Sequence, residues 1–262
     1  MNLTLQDIAW HRSVGQLVEA LDHPDFWRCL VRLLKQYIEF DSWVALLFSD
    51  GRPLVYAESP GADGGEDPLF QDYLKGLYLL DPFYIASREA RVSGLVHLTD
   101  VAPECFERTD YYQRYFRLNV VADEVQYNVQ LDSERALCLS LGSQSRFSGA
   151  QIALLNLLQP WVLATMRQRF RFEKDVHIVA PASPWQPLEK GVGKLEMPLT
   201  VRELEVGRMM LSGCSSKEIG RKLSISSETV RVHRKHIYSK LGIKSQSELF
   251  ALFLKAQTEA PQ

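Results

Sequence analysis

The chain has little cysteine and none of it paired. Cys29, Cys105, Cys138 and Cys214 lie singly along 262 residues, with no C-x-x-C pair and no histidine at metal-ligand spacing. That excludes a zinc module and a secreted disulfide framework, and it predicts reduced thiols in a cytoplasmic protein. Long hydrophobic runs are missing too. The longest, residues 152–164, is interrupted by Asn156, Gln159 and Pro160 and is too short to span a bilayer. Asp7 and His11 interrupt the segment where a secretion signal would stand. There is no Ser/His/Asp arrangement, no glycine-rich phosphate loop and no carboxylate pair. Nothing therefore predicts an enzyme, a cofactor, a metal site or a membrane partner.

What is present looks ordinary in bulk. The composition is 46% hydrophobic and 24% charged, enough apolar material for a buried core, in a length that predicts two domains. The net charge of -2 conceals a division. From Met197 onward 11 Lys and Arg face 6 Asp and Glu, whereas the residues before it carry 19 against 26. An acidic body with a small basic end is the layout of a nucleic-acid-binding protein.

Along the body, helix and strand patterns mix. Pro24-Asp25 opens a helix with Phe26, Leu30, Leu33, Leu34 and Tyr37 on one stripe. Residues 43–48 and 54–58 predict a hairpin about the turn 49–52, followed by a Gly/Asp/Pro loop at 59–67. Helices are expected over 68–80 and 83–90, broken at Asp81-Pro82, and an aromatic-rich helix over 103–117. A strand at 94–98 and a second hairpin (124–130 and 136–141) complete five strands. An amphipathic helix spans 148–172, bent at Pro160, and its Ile152, Leu155, Leu158, Val162 and Met166 offer a dimer seam. The fold class expected is α+β: an α-β-α sandwich around an antiparallel five-stranded sheet, then an all-α domain of four helices. A Pro- and Gly-rich stretch between them reads as a linker. The domains are therefore placed at 1–172 and 197–262, with the linker at 173–196.

The C-terminal part is the most informative. Three Ser/Thr-x-x-Glu boxes, beginning at Thr200, Ser215 and Ser245, each precede an apolar-periodic run, and Ser226 can cap a further helix. Gly213 and Gly242 stand where the first and third of these helices end. The second and third are joined by the short stretch 223–226, which makes a helix-turn-helix unit. On the longer helix Val230, Ile237 and Leu241 share one face, and Arg231, Arg234, Lys235 and Tyr238 fall largely opposite. A basic stripe of that kind suits the major groove of double-stranded DNA. Leu249, Phe250, Leu252 and Phe253 give the last helix more apolar surface than so small a domain needs.

The run Leu199-Thr200-x-Arg202-Glu203-x-Glu205-Val206, with Gly213, Lys217-Glu218-Ile219-Gly220, Leu223, Ile225-Ser226, Thr229-Val230, His233, Ile237 and Lys240-Leu241-Gly242, resembles the LuxR-type (LuxR/FixJ) DNA-binding domain. The resemblance implies a transcriptional regulator that binds pseudo-palindromic DNA as a homodimer, and contacts RNA polymerase if it activates. It further implies that Arg231, Val232 and Lys235 reach base edges. Thr229, Ser227, Lys217, Arg234 and Lys240 would then lie near phosphates. Gln246 stands where that family commonly carries Arg.

In such regulators the preceding domain decides when DNA is bound. A phosphorylated receiver is disfavoured, because Asp50-Gly51 leads into a hairpin rather than a parallel repeat. The segment Tyr78-Leu79-Leu80-Asp81-Pro82 resembles the Asp-Pro segment of acyl-homoserine-lactone receptors. The upstream Trp of those receptors falls here on Pro68, and Tyr73 is one residue out of register. A GAF- or PAS-like sensor fits the hairpins and flanking helices. The residues before Met197 hold 24 of the 27 aromatics, which suits an apolar pocket with a few orienting groups. Trp43, Tyr56, Tyr73, Tyr78, Asp81, Phe83 and Tyr127 are the candidates for lining a pocket for a small-molecule effector. Two alternatives stay open: Asp81 as a helix start before Pro82, and a first domain that contacts other proteins without a small ligand.

Overall fold

The computed structural model describes residues 5–49, 52–60, 68–173 and 199–258. The centre of the first hairpin turn, residues 61–67 of the loop after it, residues 174–196 of the linker and the boundary at Met197 lie outside the described residues. In chain order the elements are α1 (Leu5–Glu19), α2 (Phe26–Leu34), β1 (Ser42–Ser49), β2 (Arg52–Glu58), α3 (Pro68–Leu74), α4 (Pro82–Ala90), β3 (Gly94–His97) and α5 (Leu98–Val101). There follow α6 (Arg117–Asn119), β4 (Asp123–Gln130), β5 (Ala136–Ser143), α7 (Gly149–Arg169), α8 (Val201–Leu211), α9 (Ser216–Leu223), α10 (Ser227–Leu241) and α11 (Gln246–Thr258). They form two compact units, each assembled from separated stretches: 1–65, 90–98 and 120–179 in one, and 66–89, 99–119 and 180–262 in the other.

The first unit is built on the five-stranded sheet, in the order β2-β1-β5-β4-β3. Every pairing is antiparallel: β1–β2 and β4–β5 are hairpins, and β5 beside β1 requires the chain to cross from β2 at one edge of the sheet to β3 at the other. One face carries Trp43, Ala45, Leu47, Val125, Tyr127, Leu139 and Leu141. These pack with Phe26, Trp27 and Leu30 of α2 and with Leu155, Leu158, Val162 and Met166 of α7 in a single core. That corrects the dimer-seam expectation for α7, because its apolar stripe is already buried against its own sheet. The helix presents Leu157 outward instead, at 73% exposure.

The other face of β4 differs from a strand with one wet side. Glu124, Gln126 and Asn128 alternate with the core residues as the pleat demands, yet all three are buried, as is Ser140 of β5. Glu124 Oε1 accepts from Gln126 Nε2 at 3.0 Å and from Ser140 Oγ. Asn128 Oδ1 has no hydrogen-bond partner among the described residues.

The aromatic helix expected over 103–117 is broken into a 3-10 turn at Phe106–Arg108, a π-turn at Tyr112–Phe116 and the single turn α6. Tyr111, Tyr115 and Phe116 are all buried. A wider π-turn brings side chains at that spacing to one side better than an α-helix does.

The end of α7 is tied down by a charge. Arg169 is buried; its Nε donates to Glu173 Oε1 at 2.8 Å and its guanidinium to the carbonyls of Leu21 and His23 at 2.9 Å each. Glu173 also accepts from Trp27 Nε1 at 2.8 Å. Arg169→Leu therefore strands a carboxylate and two carbonyls, and should cost about 3–5 kcal/mol in urea unfolding. A loss below 1 kcal/mol would show the network to be replaceable by packing.

Candidate nucleic-acid interface and effector site

Caps set the C-terminal helices. Thr200 and Ser215 each close a full capping box, the hydroxyl accepting from the third amide while Glu203 or Glu218 accepts from the cap's own amide at 2.7 Å. Ser226 Oγ accepts from Thr229 N at 3.0 Å and starts α10. Gly242, at φ +64°, ends it. The turn between α9 and α10 is closed by backbone contact. A Cβ on Gly220 would lie 2.7 Å from the Ile225 carbonyl oxygen and 3.3 Å from Ser227 N, so only glycine lets α9 approach so near. Arg202 donates to the Leu223 carbonyl at 2.7 Å and pins α8 to the same turn.

With Val230, Ile237 and Leu241 inward, α10 turns its polar face out. Arg231 is held loosely by Glu228 at 2.9 Å with its side chain 67% exposed, Val232 is 47% exposed, and Lys235 is exposed. Arg234 donates to Ser216 Oγ at 3.3 Å. Ser216, Arg231, Arg234, Lys235 and Tyr238 line an open groove of about 420 Å³. Ser227, Thr229 and Lys217 are exposed, Thr229 sharing a hydrogen bond with Ser226.

Lys240 is placed differently from the other cations. Its Nζ donates at 2.7 Å to Glu203, a carboxylate buried in the domain, so it neutralises an interior charge. Burial alone would raise the Glu203 pKa, but hydrogen bonds from Lys240 and Thr200 outweigh it and hold the carboxyl below its ordinary range. Gln246, standing where a family Arg is common, donates to the Met210 carbonyl and ties α11 to α8.

The effector candidates divide between the two units. In the second unit Asp81, Tyr73, Tyr78 and Phe83 come together. Asp81 is buried at the start of α4, where its Oδ1 accepts from Phe83 N at 2.8 Å and its Oδ2 from the Tyr73 hydroxyl at 2.9 Å. Tyr84 N and the Tyr111 hydroxyl also approach it. Burial pushes its pKa up against these hydrogen bonds, to about 6. Tyr73 lies among Phe70, Tyr78, Tyr111 and Tyr115, at centroid distances of 5.1–6.4 Å. In the first unit Trp43, Tyr56 and Tyr127 belong to the sheet core. Tyr56 stacks on Trp27 at 6.1 Å, and the buried Tyr127 hydroxyl donates to the Leu155 carbonyl at 2.8 Å. The sequence reading did not count among the candidates Tyr84 and Tyr111, which approach Asp81, or Tyr115, which lies against Tyr73. It also missed the buried polar face of β4, although the period-two spacing of Glu124, Gln126 and Asn128 was a usable signal.

Comparison with known proteins places these features. Residues 197–253 match the family described as bacterial regulatory proteins, luxR family. The ligand-binding domain of VqsR from Pseudomonas aeruginosa is 55% identical, with a TM-score of 0.60, over 63% of this chain and 99% of that one. The chain belongs to the LuxR family. A protein of Aeromonas salmonicida named as an HTH-type transcriptional regulator in the exeN 3′ region is 28% identical over 69% of this chain and 96% of its own length. The oxygen regulatory protein NreC of Staphylococcus aureus is 46% identical over 57 residues, 22% of this chain and 26% of that one. This LuxR-family chain is thus a DNA-binding transcriptional regulator, carrying a VqsR-like ligand-binding domain ahead of its helix-turn-helix. Among the described residues no helix is long and apolar enough to cross a membrane.

The placement of Lys240 generates a pH-dependent prediction. Lys240→Met should cost about 1–3 kcal/mol of stability at pH 7, because a buried carboxylate loses its charged donor. Glu203 has a lowered folded pKa, so the ion pair's contribution is present above the ordinary glutamate range and is lost as pH falls through the folded value. The gap between variant and parent in urea unfolding should therefore narrow on acidification. A gap independent of pH would mean that Lys240 acts through packing alone.

Proposed function

We propose that this regulator binds duplex DNA as a homodimer, with α10 in the major groove, and that a small molecule taken up by residues 1–172 controls the binding. The observation that carries the DNA part is the outward face of α10. Arg231 and Lys235 can bond guanine edges, and Val232 can meet a thymine methyl. Arg234, Thr229, Ser227 and Lys217 flank them and suit phosphates. Two copies would set their α10 helices about one DNA turn apart on a pseudo-palindromic site.

The effector part rests on the aromatic ring about Asp81 and on the 55% identity to the VqsR ligand-binding domain. A small molecule with an N–H or O–H donor could replace Tyr73 or Tyr111 on the Asp81 carboxylate, and the surrounding rings would cover its apolar part. One observation favours the second reading, a protein-interaction module without a small ligand: the chain's own groups already occupy the Asp81 oxygens. Thermal shift of the full chain against a metabolite panel separates the two. A true ligand at 100-fold over its Kd adds about 2.7 kcal/mol, and no shift across the panel favours the protein-interaction reading.

Lys235→Ala should cost roughly 1–3 kcal/mol on a selected site and little on a scrambled one, read by gel-shift titration. Equal losses on both would make Lys235 a phosphate contact.

A further inference from the structure

Helix α10 begins differently from α8, α9 and α11. In those three an acidic residue stands three places after the cap and turns back onto the start of its helix. Glu203 accepts from Thr200 N and Glu218 from Ser215 N at 2.7 Å each, and Glu248 accepts from Lys244 N and the Ser245 hydroxyl at 3.1 Å each. In α10 that place is held by Thr229, whose amide and hydroxyl both meet the Ser226 hydroxyl, at 3.0 and 2.8 Å. The helix start is therefore served without a carboxylate. Its acidic residue, Glu228, comes one position earlier, and its carboxylate runs forward, accepting from Arg231 Nη1 at 2.9 Å. A carboxylate anywhere in the first turn meets the helix dipole favourably, but the dipole does not direct it toward Arg231.

The place of Glu228 on the helix matters as much. Positions 228, 231, 232 and 235 recur at three- and four-residue intervals, so Glu228 shares the stripe of Arg231, Val232 and Lys235. All four are exposed. Glu228 is the only acidic residue of α10, and its side chain is 74% exposed. A helix entering the major groove presents its N-terminal residues to base edges, and Glu228 stands nearer that end than Arg231 does. A carboxylate there is repelled by every phosphate it passes. It gains only where the duplex offers it a donor, and in the major groove the donors are the exocyclic amines of cytosine and adenine. Adenine sets its N7 acceptor beside that amine, which repels a carboxylate, whereas cytosine does not.

We propose that Glu228 is a specificity-determining residue that accepts from the N4 amine of a cytosine next to the guanine taken by Arg231. It does so only if α10 lies in the major groove as proposed above. Three residues of helix separate the two side chains by about 4.5 Å along the axis, close to one base-pair step of about 3.4 Å, so their targets lie on neighbouring pairs. The bond between the two heads keeps both on the reading stripe in the free protein. An exposed pair of this kind is weak, so it opens onto the bases at little cost. Because its carboxylate repels phosphates, Glu228 weakens binding to any duplex without the cytosine in place, and so sharpens the choice of sequence at the expense of indiscriminate affinity.

The test uses the full chain, with sites selected from a random duplex pool by the parent, Glu228→Ala and Arg231→Ala. The parent should enrich a guanine and a neighbouring cytosine in each half-site. Arg231→Ala should lose the preference for the guanine, and Glu228→Ala the preference for the cytosine alone. Anisotropy titration of the selected duplex gives the size of the effect. Changing that C·G pair to T·A, which sets an acceptor where the amine was, should weaken the parent roughly 5- to 150-fold and Glu228→Ala less than about twofold. Glu228→Gln, whose amide suits adenine, should move the preference at that position from cytosine to adenine. Glu39→Gln, at an exposed carboxylate of the first unit, makes the same change in net charge and should select the parent's sequence. Relaxation at the guanine alone in Glu228→Ala would reduce Glu228 to an orienting partner of Arg231 and overturn the proposal. An unchanged selected sequence, with binding shifted evenly on all duplexes, would overturn it in favour of dipole or net charge. A parent that enriches no sequence would defeat the reading of α10 itself, a failure visible without any variant.

Discussion

The close approach of Gly220 to the Ile225 carbonyl governs the geometry of the outward face of α10. Helices α9 and α10 meet through backbone there, with no side chain between them, and their angle follows from that contact. Once the angle is set, the inward positions of α10 must be Val230, Ile237 and Leu241. Arg231, Val232 and Lys235 then have nowhere to point but outward. The buried Glu203 reinforces the arrangement from the other side, joining the start of α8 to Lys240 near the end of α10. One carboxylate thus replaces part of the apolar contact that so small a core cannot supply.

In the first unit the organising constraint is a pair of central strands, β4 and β5, buried on both faces. A strand with two covered faces ordinarily reads as continuously apolar. Here β4 instead places Glu124, Gln126 and Asn128 under cover and satisfies most of them with one another and with Ser140. A buried polar row is costly unless hydrogen-bonded, and its retention opposite a mostly apolar face makes the two sides of these strands chemically distinct.

Much of this was legible in the residues. The capping boxes at Thr200 and Ser215, the glycines 213 and 242, and the basic stripe of α10 are local features whose physics is complete within a few residues, and they appear as read. The five antiparallel strands followed from hairpin turns and period-two patterns in the same way. What escaped depends on contacts remote in sequence. An apolar stripe on α7 cannot announce whether it meets its own sheet or a second copy. The helix expected over 103–117 gave way to a π-turn because Tyr111, Tyr115 and Phe116 all find buried partners. The pairing of Lys240 with Glu203, 37 residues away, was not visible in the local pattern either. Asp81 was legible as a special position, but sequence spacing did not show that Tyr73 and the α4 amides would occupy its oxygens.

In the proposed function α10 reads base edges from its exposed face, two copies at a time. Selection of binding sites from a random pool of duplex DNA by the full chain tests it most directly. The account predicts enrichment of an inverted repeat whose half-sites lie about one helical turn apart. Retention of DNA without enrichment of any sequence would contradict it, because a basic face that binds phosphates alone selects nothing.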